Sequence, residues 1–376
     1  MSADMRRSPD QRDDDLMLRE GARRFLEERC PWTPTLPSPG EEDAVRREMA
    51  GLGWFAMGLP EEFGGGGADA LQALALVEEA GRVLLRRSLA ADVLVVPRLM
   101  RRGFAGLTAL APGLAAGAVR FALVSGDPAA GGLSVAPGRE GVRLRGGGGL
   151  ALDAGAATHW LVAAGEGSPN GAALLCVEAR PVPERRLIDG RRGAVPPLDG
   201  LDLPAGAVLA TGHDALAAID EIRDCAAAAL VADAYGALAA GLDLTVGYLN
   251  QRRQFGQTLG SFQAVQHLMA EAFCDLETLR SLMLWSAASL DGAPAERRRA
   301  AASARVVLGR EGLAAASRLI QASGGIAMTE EYRVGHVYKR LQVAAGIDGG
   351  TEARIRQLAT DTLSPKGRPD DEASAA

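Results

Sequence analysis

Arg252, Phe255, Gly256, Phe262 and Gln263 fall within the single run Arg252-Arg253-Gln254-Phe255-Gly256-Gln257-Thr258-Leu259-Gly260-Ser261-Phe262-Gln263-Ala264-Val265-Gln266-His267. These residue types suit a pyrophosphate. A guanidinium gives a charge partner with forked donors, a glycine turn lets the main chain come close, and an amide-rich helix start adds directional donors. Further along, Gln321-Ala322-Ser323-Gly324-Gly325 offers a second place where main chain can lie against a dinucleotide. Gly350-Thr351-Glu352 then opens a last helix, whose free N-terminal amides favour an anion.

Proton transfer in such a site needs a positioned carboxylate. Asp233 lies in the run Ala228-Ala229-Leu230-Val231-Ala232-Asp233-Ala234-Tyr235-Gly236, and an acid among so many alanines is expected to be at least partly buried. Burying a carboxylate is costly unless it is paired or functional, and desolvation raises its pKa toward what a base needs. Two readings of Asp233 stay open: a catalytic base, or an acid salt-bridged or hydrogen-bonded inside a helical core. Asp348, just before Gly349-Gly350-Thr351, is a second candidate, and Asp224 is expected to favour a helix N-terminus by its charge. His159, His213, His267 and His336 show no metal-ligand spacing.

The elements that would position these groups change character along the chain. Apolar residues recur at helical spacing from Asp13 to Glu28, Glu41 to Ala50 and Ala70 to Leu85, with a Gly-rich turn from Leu59 to Gly67, giving an N-terminal helical domain over 1–118. Short apolar or alternating runs follow at Phe121 to Val124, Gly141 to Leu144, Trp160 to Ala164, Ala172 to Val177 and Ala207 to Ala210, a middle β-domain over 119–215. The glycine run from Gly146 to Gly149 lacks the Lys-Ser/Thr ending of a phosphate loop and is expected to be a hairpin turn. Long patterned helices at Ala226 to Tyr248, Phe262 to Ser289, Ala295 to Ser323 and Glu352 to Thr362 predict a four-helix bundle over 216–364. Residues 365–376 are small, charged and Pro-containing, and are expected to be disordered.

Composition bounds the partners. The chain has 376 residues, with 41 Lys plus Arg against 47 Asp plus Glu and a formal net charge of −6. No basic block suggests a nucleic-acid partner. Four widely spaced cysteines, without a Cys-x-x-Cys pair, read as reduced, structural and cytoplasmic. The start of the chain does not have the pattern of a signal peptide, and each apolar stretch is expected to be broken by charge before the roughly 18 residues a membrane span needs.

The run from Arg252 to His267, the Gln321 to Gly325 element and the order helices, β-domain, bundle together resemble the acyl-CoA dehydrogenase family over nearly the whole chain. The resemblance implies an acyl-CoA dehydrogenase-like fold, with an N-terminal all-α domain, a middle small β-barrel or sandwich and a C-terminal four-helix bundle. It also implies FAD as cofactor, with Arg252, Phe255, Phe262, Gln263, Gln321, Gly324, Gly325 and Thr351 as its contacts. Arg252 would reach the pyrophosphate of a neighbouring subunit's flavin. The implied activity oxidises an acyl-CoA or acyl-carrier thioester to its 2,3-enoyl form and passes electrons to an electron-transfer flavoprotein.

This chain departs from the family pattern at the base. Most members place a Glu directly before the Gly-Thr that opens the last helix, where this chain has Gly349. Others use a Glu early in the first bundle helix, where counting back from Phe255 gives Ala226. Asp233 and Asp348 are the substitutes considered. In the β-domain the chain has Val124-Ser125-Gly126-Asp127-Pro128 where members often carry acidic-Pro and Gly-Ser-Asp patterns. The segment from Gly324 to Arg340 looks most like the branch holding the pimeloyl-CoA dehydrogenase small subunit and bacterial steroid side-chain dehydrogenases. That branch often pairs two different subunits, so the assembly implied is a homodimer or homotetramer, or a heterotetramer in which this chain is a half-site or silent subunit. The same fold serving other flavin chemistry on a carrier-bound or specialised metabolite is a further possibility.

Overall fold

The structure, a computed structural model, describes residues 9–127, 131–165 and 171–363; Pro128 and the tail expected to be disordered lie outside the described residues. The N-terminal layer comprises α1 (Pro9–Arg29), α2 (Pro39–Gly51), α3 (Ala70–Arg82), α4 (Val96–Met100), α5 (Ala105–Thr108) and α6 (Ala111–Ala115). Ser38 opens α2 through a capping box with Glu41, and Asp69 opens α3 through one with Gln72. α3 is buried from Ala73 to Gly81, including Glu78 and Glu79. Those two acids are tolerated because α1 supplies Arg19 at 2.5 Å and Arg23 at 2.8 Å.

The middle region holds β1 (Phe121–Val124), β2 (Leu133–Pro137), β3 (Gly141–Gly146), β4 (Ala151–Leu152), β5 (His159–Ala164), β6 (Ala173–Glu178), β7 (Arg185–Arg186), β8 (Arg192–Ala194), β9 (Asp202–Pro204) and β10 (Val208–Thr211). They form three sheets, in the orders β1-β5-β6-β10, β2-β3-β9 and β4-β8-β7. β1 runs parallel to β5, and the other pairs in the first sheet are antiparallel. β5 and β6 are buried on both faces, which explains their continuous apolar runs. Trp160 sits fully buried among them and donates its indole N–H to Ala154 O at 2.9 Å.

The glycine run is not a hairpin turn. Gly146 ends β3, and the chain continues to pair with the first sheet through Gly126 and Gly148, with Gly149 N–H on Ser125 O at 2.8 Å. Gly126 and Gly146 lack side chains where the backbone of Gly132 and Leu133 presses against them.

The last layer begins at Gly212, earlier than the sequence pattern predicts, with the 40-residue α7 (Gly212–Gln251). After the small hairpin β11 (Arg253–Gln254) and β12 (Gln257–Thr258) come α8 (Gln263–Ser289), α9 (Pro294–Val307), α10 (Leu313–Ser323), α11 (Arg333–Gly346) and α12 (Gly350–Leu363). A π-turn over Leu308–Gly312 joins α9 and α10. The bundle is built on α7, with α8, α9–α10 and α11 packed around it. α12, expected as the fourth member, buries none of its residues, and α11 takes that place with Val334, Val337, Leu341 and Ala344 in the core. One 18-residue window of α7 reaches a mean hydropathy of 1.6, so charge does not interrupt it as expected; 78% of that window is buried inside the protein. It is a core helix rich in alanine, and the acid within it, Asp233, is neutralised from a neighbouring helix.

α3 and α7 touch backbone to backbone. A Cβ on Gly236 would collide with Glu78 O, and one on Gly81 would collide with Asp233 O. The Gly236→Ala substitution is therefore expected to destabilise the chain by about 2–3 kcal/mol through overpacking, seen as a lowered thermal midpoint. Gly247→Ala, where nothing stands within 4 Å of the added methyl, is expected to change it little.

Candidate functional site

α7 ends at Gln251, and Arg252 turns the chain into the β11–β12 hairpin with φ −71° and ψ 121°. Phe255 (φ 52°) and Gly256 (φ 83°) form its tip, both left-handed as a two-residue hairpin turn requires. Arg253 donates to Gly256 O at 3.1 Å, Leu259 N–H returns to Arg252 O at 2.8 Å, and Ser261 Oγ donates to Thr258 O at 2.6 Å. Phe255 is 89% exposed and meets Phe262 edge-on at 6.2 Å. The Arg252 guanidinium is exposed and has no partner among the described residues, and Gln263 begins α8 without a side-chain cap on that helix. The hairpin thus holds its own shape and presents unspent donors outward.

The second element lies at the end of α10. α10 ends in exposed Gln321, then Gly324 adopts φ 68°, and open space surrounds the Cα of both Gly324 and Gly325. Tyr332, after this loop, lies 6.0 Å from the ring of Tyr248, whose carbonyl accepts the Arg252 N–H at 2.8 Å. That contact ties the Gln321–Gly325 element to the end of α7. Ile326 and Met328, just after Gly325, and Phe255 at the hairpin tip are exposed apolar side chains carried by these elements.

Thr351, at the start of α12, packs against Gly309 in the π-turn, where any Cβ would collide with its hydroxyl. The turn before it is left-handed at three successive residues, Asp348 (φ 63°), Gly349 (φ 80°) and Gly350 (φ 69°). Two arginines hold it by its carbonyls: Arg305 donates to Ile347 O and Arg354 to Asp348 O, each at 2.7 Å. Burial pushes the Arg305 guanidinium down to about 10. The Asp348 side chain is left exposed. A Cβ on Gly349 would lie 2.9 Å from Ala353 Cβ, so this turn resists any side chain at Gly349. Ala226 is half-buried within α7.

Asp233 is an ion-pair member. Arg340 Nη1 bonds both of its oxygens, at 3.0 and 3.1 Å, and Arg191 approaches at 3.8 Å. Asp189 in turn accepts from Arg191 Nε at 2.6 Å and lies 3.2 Å from Arg340 Nε. Of the two readings the sequence leaves open, the geometry supplies the paired one. The sequence pattern did not single out α11, so nothing marked Arg340 as the partner of Asp233. Asp224 is not at a helix start, since α7 begins twelve residues earlier by its bounds; it is buried mid-helix and bonded to Arg297 Nε at 2.8 Å.

Removing one partner of a buried pair strands the other charge. Asp233→Ala is expected to cost about 3–5 kcal/mol, and the double variant with Arg340→Met is expected to recover more than half of that loss in a denaturation cycle.

Comparison with known proteins agrees with this geometry. Residues 12–108 match the family model for the acyl-CoA dehydrogenase N-terminal domain, and residues 221–363 match that for the acyl-CoA dehydrogenase C-terminal domain. The chain is 27% identical to acyl-CoA dehydrogenase IpdE2 of Mycolicibacterium smegmatis over 83% of this chain and 85% of that one. It superposes on a solved structure titled as a variant of the Tcur3481–Tcur3483 steroid ACAD with a TM-score of 0.78 and 28% identity, covering 92% of this chain and 97% of the other. The ChsE4–ChsE5 complex from Mycobacterium tuberculosis shares the fold, with a TM-score of 0.81, 21% identity and coverage of 93% and 97%. With both family models matched in chain order, the chain belongs to the acyl-CoA dehydrogenase family, FAD-dependent flavoprotein oxidoreductases that act on a CH–CH group.

Proposed function

We propose that this chain is one subunit of a heteromeric acyl-CoA dehydrogenase of soluble, cytoplasmic lipid or steroid breakdown, with the FAD lying across its contact with a second subunit. The observation that carries the reading is a contrast. The Asp233 carboxylate is held by Arg340, whereas the Arg252 guanidinium is exposed with no partner among the described residues. Exposed Phe255 at the hairpin tip, and exposed Ile326 and Met328 just after Gly325, add the apolar area that an interface needs. Two structural neighbours are pairs by name, Tcur3481–Tcur3483 and the ChsE4–ChsE5 complex, which favours a pair here as well.

In this reading Arg252 would hold the pyrophosphate, Gln263 and the Phe255–Phe262 pair the adenine half, and Gln321, Gly324, Gly325 and Thr351 would offer close main chain and helix-terminal donors. Bound FAD would supply the two-electron acceptor that takes the β-hydride of an acyl-CoA or acyl-carrier thioester whose α-proton goes to a base, giving a 2,3-double bond. The electrons pass onward to an electron-transfer flavoprotein. No carboxylate of this chain occupies Gly349 or Ala226, so the base belongs to the partner subunit.

A second reading keeps the chain active alone with Asp348 as the base. What favours it is that Asp348 is exposed on the strained turn immediately beside Gly349.

The two readings separate in one experiment: the visible spectrum of the chain purified alone with FAD, then titrated anaerobically with acyl-CoA thioesters. The half-site reading expects little retained flavin and no bleaching; a retained flavin that bleaches, and that ceases to bleach in Asp348→Asn, establishes the second. In the assembled enzyme Arg252→Gln is expected to weaken FAD at least tenfold by fluorescence titration without moving the thermal midpoint of the FAD-free protein, because that side chain has no partner among the described residues.

A further inference from the structure

A cavity of about 630 Å³ lies between the N-terminal helices and the β-region, walled by the α1–α2 loop, α2, the turn after α3 and the strand start at Arg120-Phe121. None of the residues assigned to the flavin, and none from 347–351, lines it. The volume is within the range of about 300–1,000 Å³ typical of small-molecule sites. Much of its wall is apolar: Trp32, Leu36, Val45, Met49, Leu89 and Phe121.

Five arginines also line it, and four of them are matched with carboxylates. Arg29 pairs with Glu48, Arg46 with Asp92, Arg120 with Asp43, and Arg87 with Glu42, Asp153 and Glu184. Arg86 is the exception. It is 8% exposed and bonds only to main-chain carbonyls, Asp189 O at 3.0 Å and Thr33 O at 2.9 Å. The carboxylates acting on Arg86 are engaged elsewhere, Asp189 by Arg191 and Arg340, and Glu42 by Arg87. Arg86 is thus a buried guanidinium with no carboxylate bonded to it, in the wall of an apolar cavity. Trp32 Nε1, in the cavity wall, is also buried with no acceptor among the described residues. A buried charge without a counter-charge is costly, and an anion brought in on an apolar body would remove that cost while filling the cavity.

We propose that this cavity binds an amphipathic carboxylate, its apolar body against Trp32, Leu36 and Phe121 and its carboxylate at Arg86. This site is separate from the dehydrogenase reading and stands or falls without it.

Calorimetric titration of the full-length chain with decanoate, decanol and acetate tests it. Decanoate is expected to bind at least tenfold more tightly than either of the others, because decanol lacks the charge and acetate lacks the body. Arg86→Gln is expected to lose most of the decanoate affinity and leave decanol unchanged. Leu36→Trp, which fills the cavity without touching the charge cluster, is expected to block decanoate as well, and it serves if Arg86→Gln does not fold. Equal binding of decanoate and decanol, undiminished decanoate binding in the Leu36→Trp variant, or no binding of decanoate at millimolar concentration would each overturn the proposal.

Discussion

Arg340 reaches from the bundle into every other layer of the molecule. Its guanidinium, 1% exposed, bonds Asp233 on α7, lies against Asp189 in the loop before β8, and donates to Leu85 O after α3 at 2.8 Å. A charge so deeply buried is tolerated only while each of these partners stays in place, so the cluster fixes how three layers meet. The glycine contacts between α3 and α7 lie beside it and act in the same sense, because they let Asp233 and Leu85 approach one arginine from two helices. The chemistry available to the chain follows from this arrangement. An acid needed to hold the layers together is not free to move protons for a substrate.

The same constraint explains what was legible from the amino-acid order. Apolar periodicity placed α1, α2, α3 and α8 close to their observed ends, and β1, β5 and β6 stood out because strands buried on both faces are written as unbroken apolar runs. β2, β4 and β7 to β9 did not, being short and rich in glycine, arginine or proline, with pairing decided by neighbours distant in sequence. α11 was missed as a core helix because Arg340, His336 and Lys339 interrupt its apolar face. His336 is buried against Trp32, and Arg340 is neutralised by acids that are remote in the chain. Tertiary pairing overrode local polarity there, as it did at Asp233 within the apolar α7.

The elements proposed to hold the flavin were legible for the opposite reason. Their shape is local, and Gly256 and Gly324-Gly325 carry it in residue type, with positive φ at Gly256 and Gly324 and open approach around Gly324 and Gly325. What the order of residues could not show is that these elements face outward from their own chain. Exposure of the hairpin tip and of the apolar side chains around it is a property of the folded surface, and it makes the site an incomplete one that another subunit would close.

Native mass spectrometry of the enzyme assembled with its partner chain tests that account most directly. Retained FAD only in assemblies that contain this chain together with an unlike subunit is the result expected. A homo-oligomer of this chain carrying one FAD per copy, and turning over an acyl-CoA thioester in the same preparation, would contradict it.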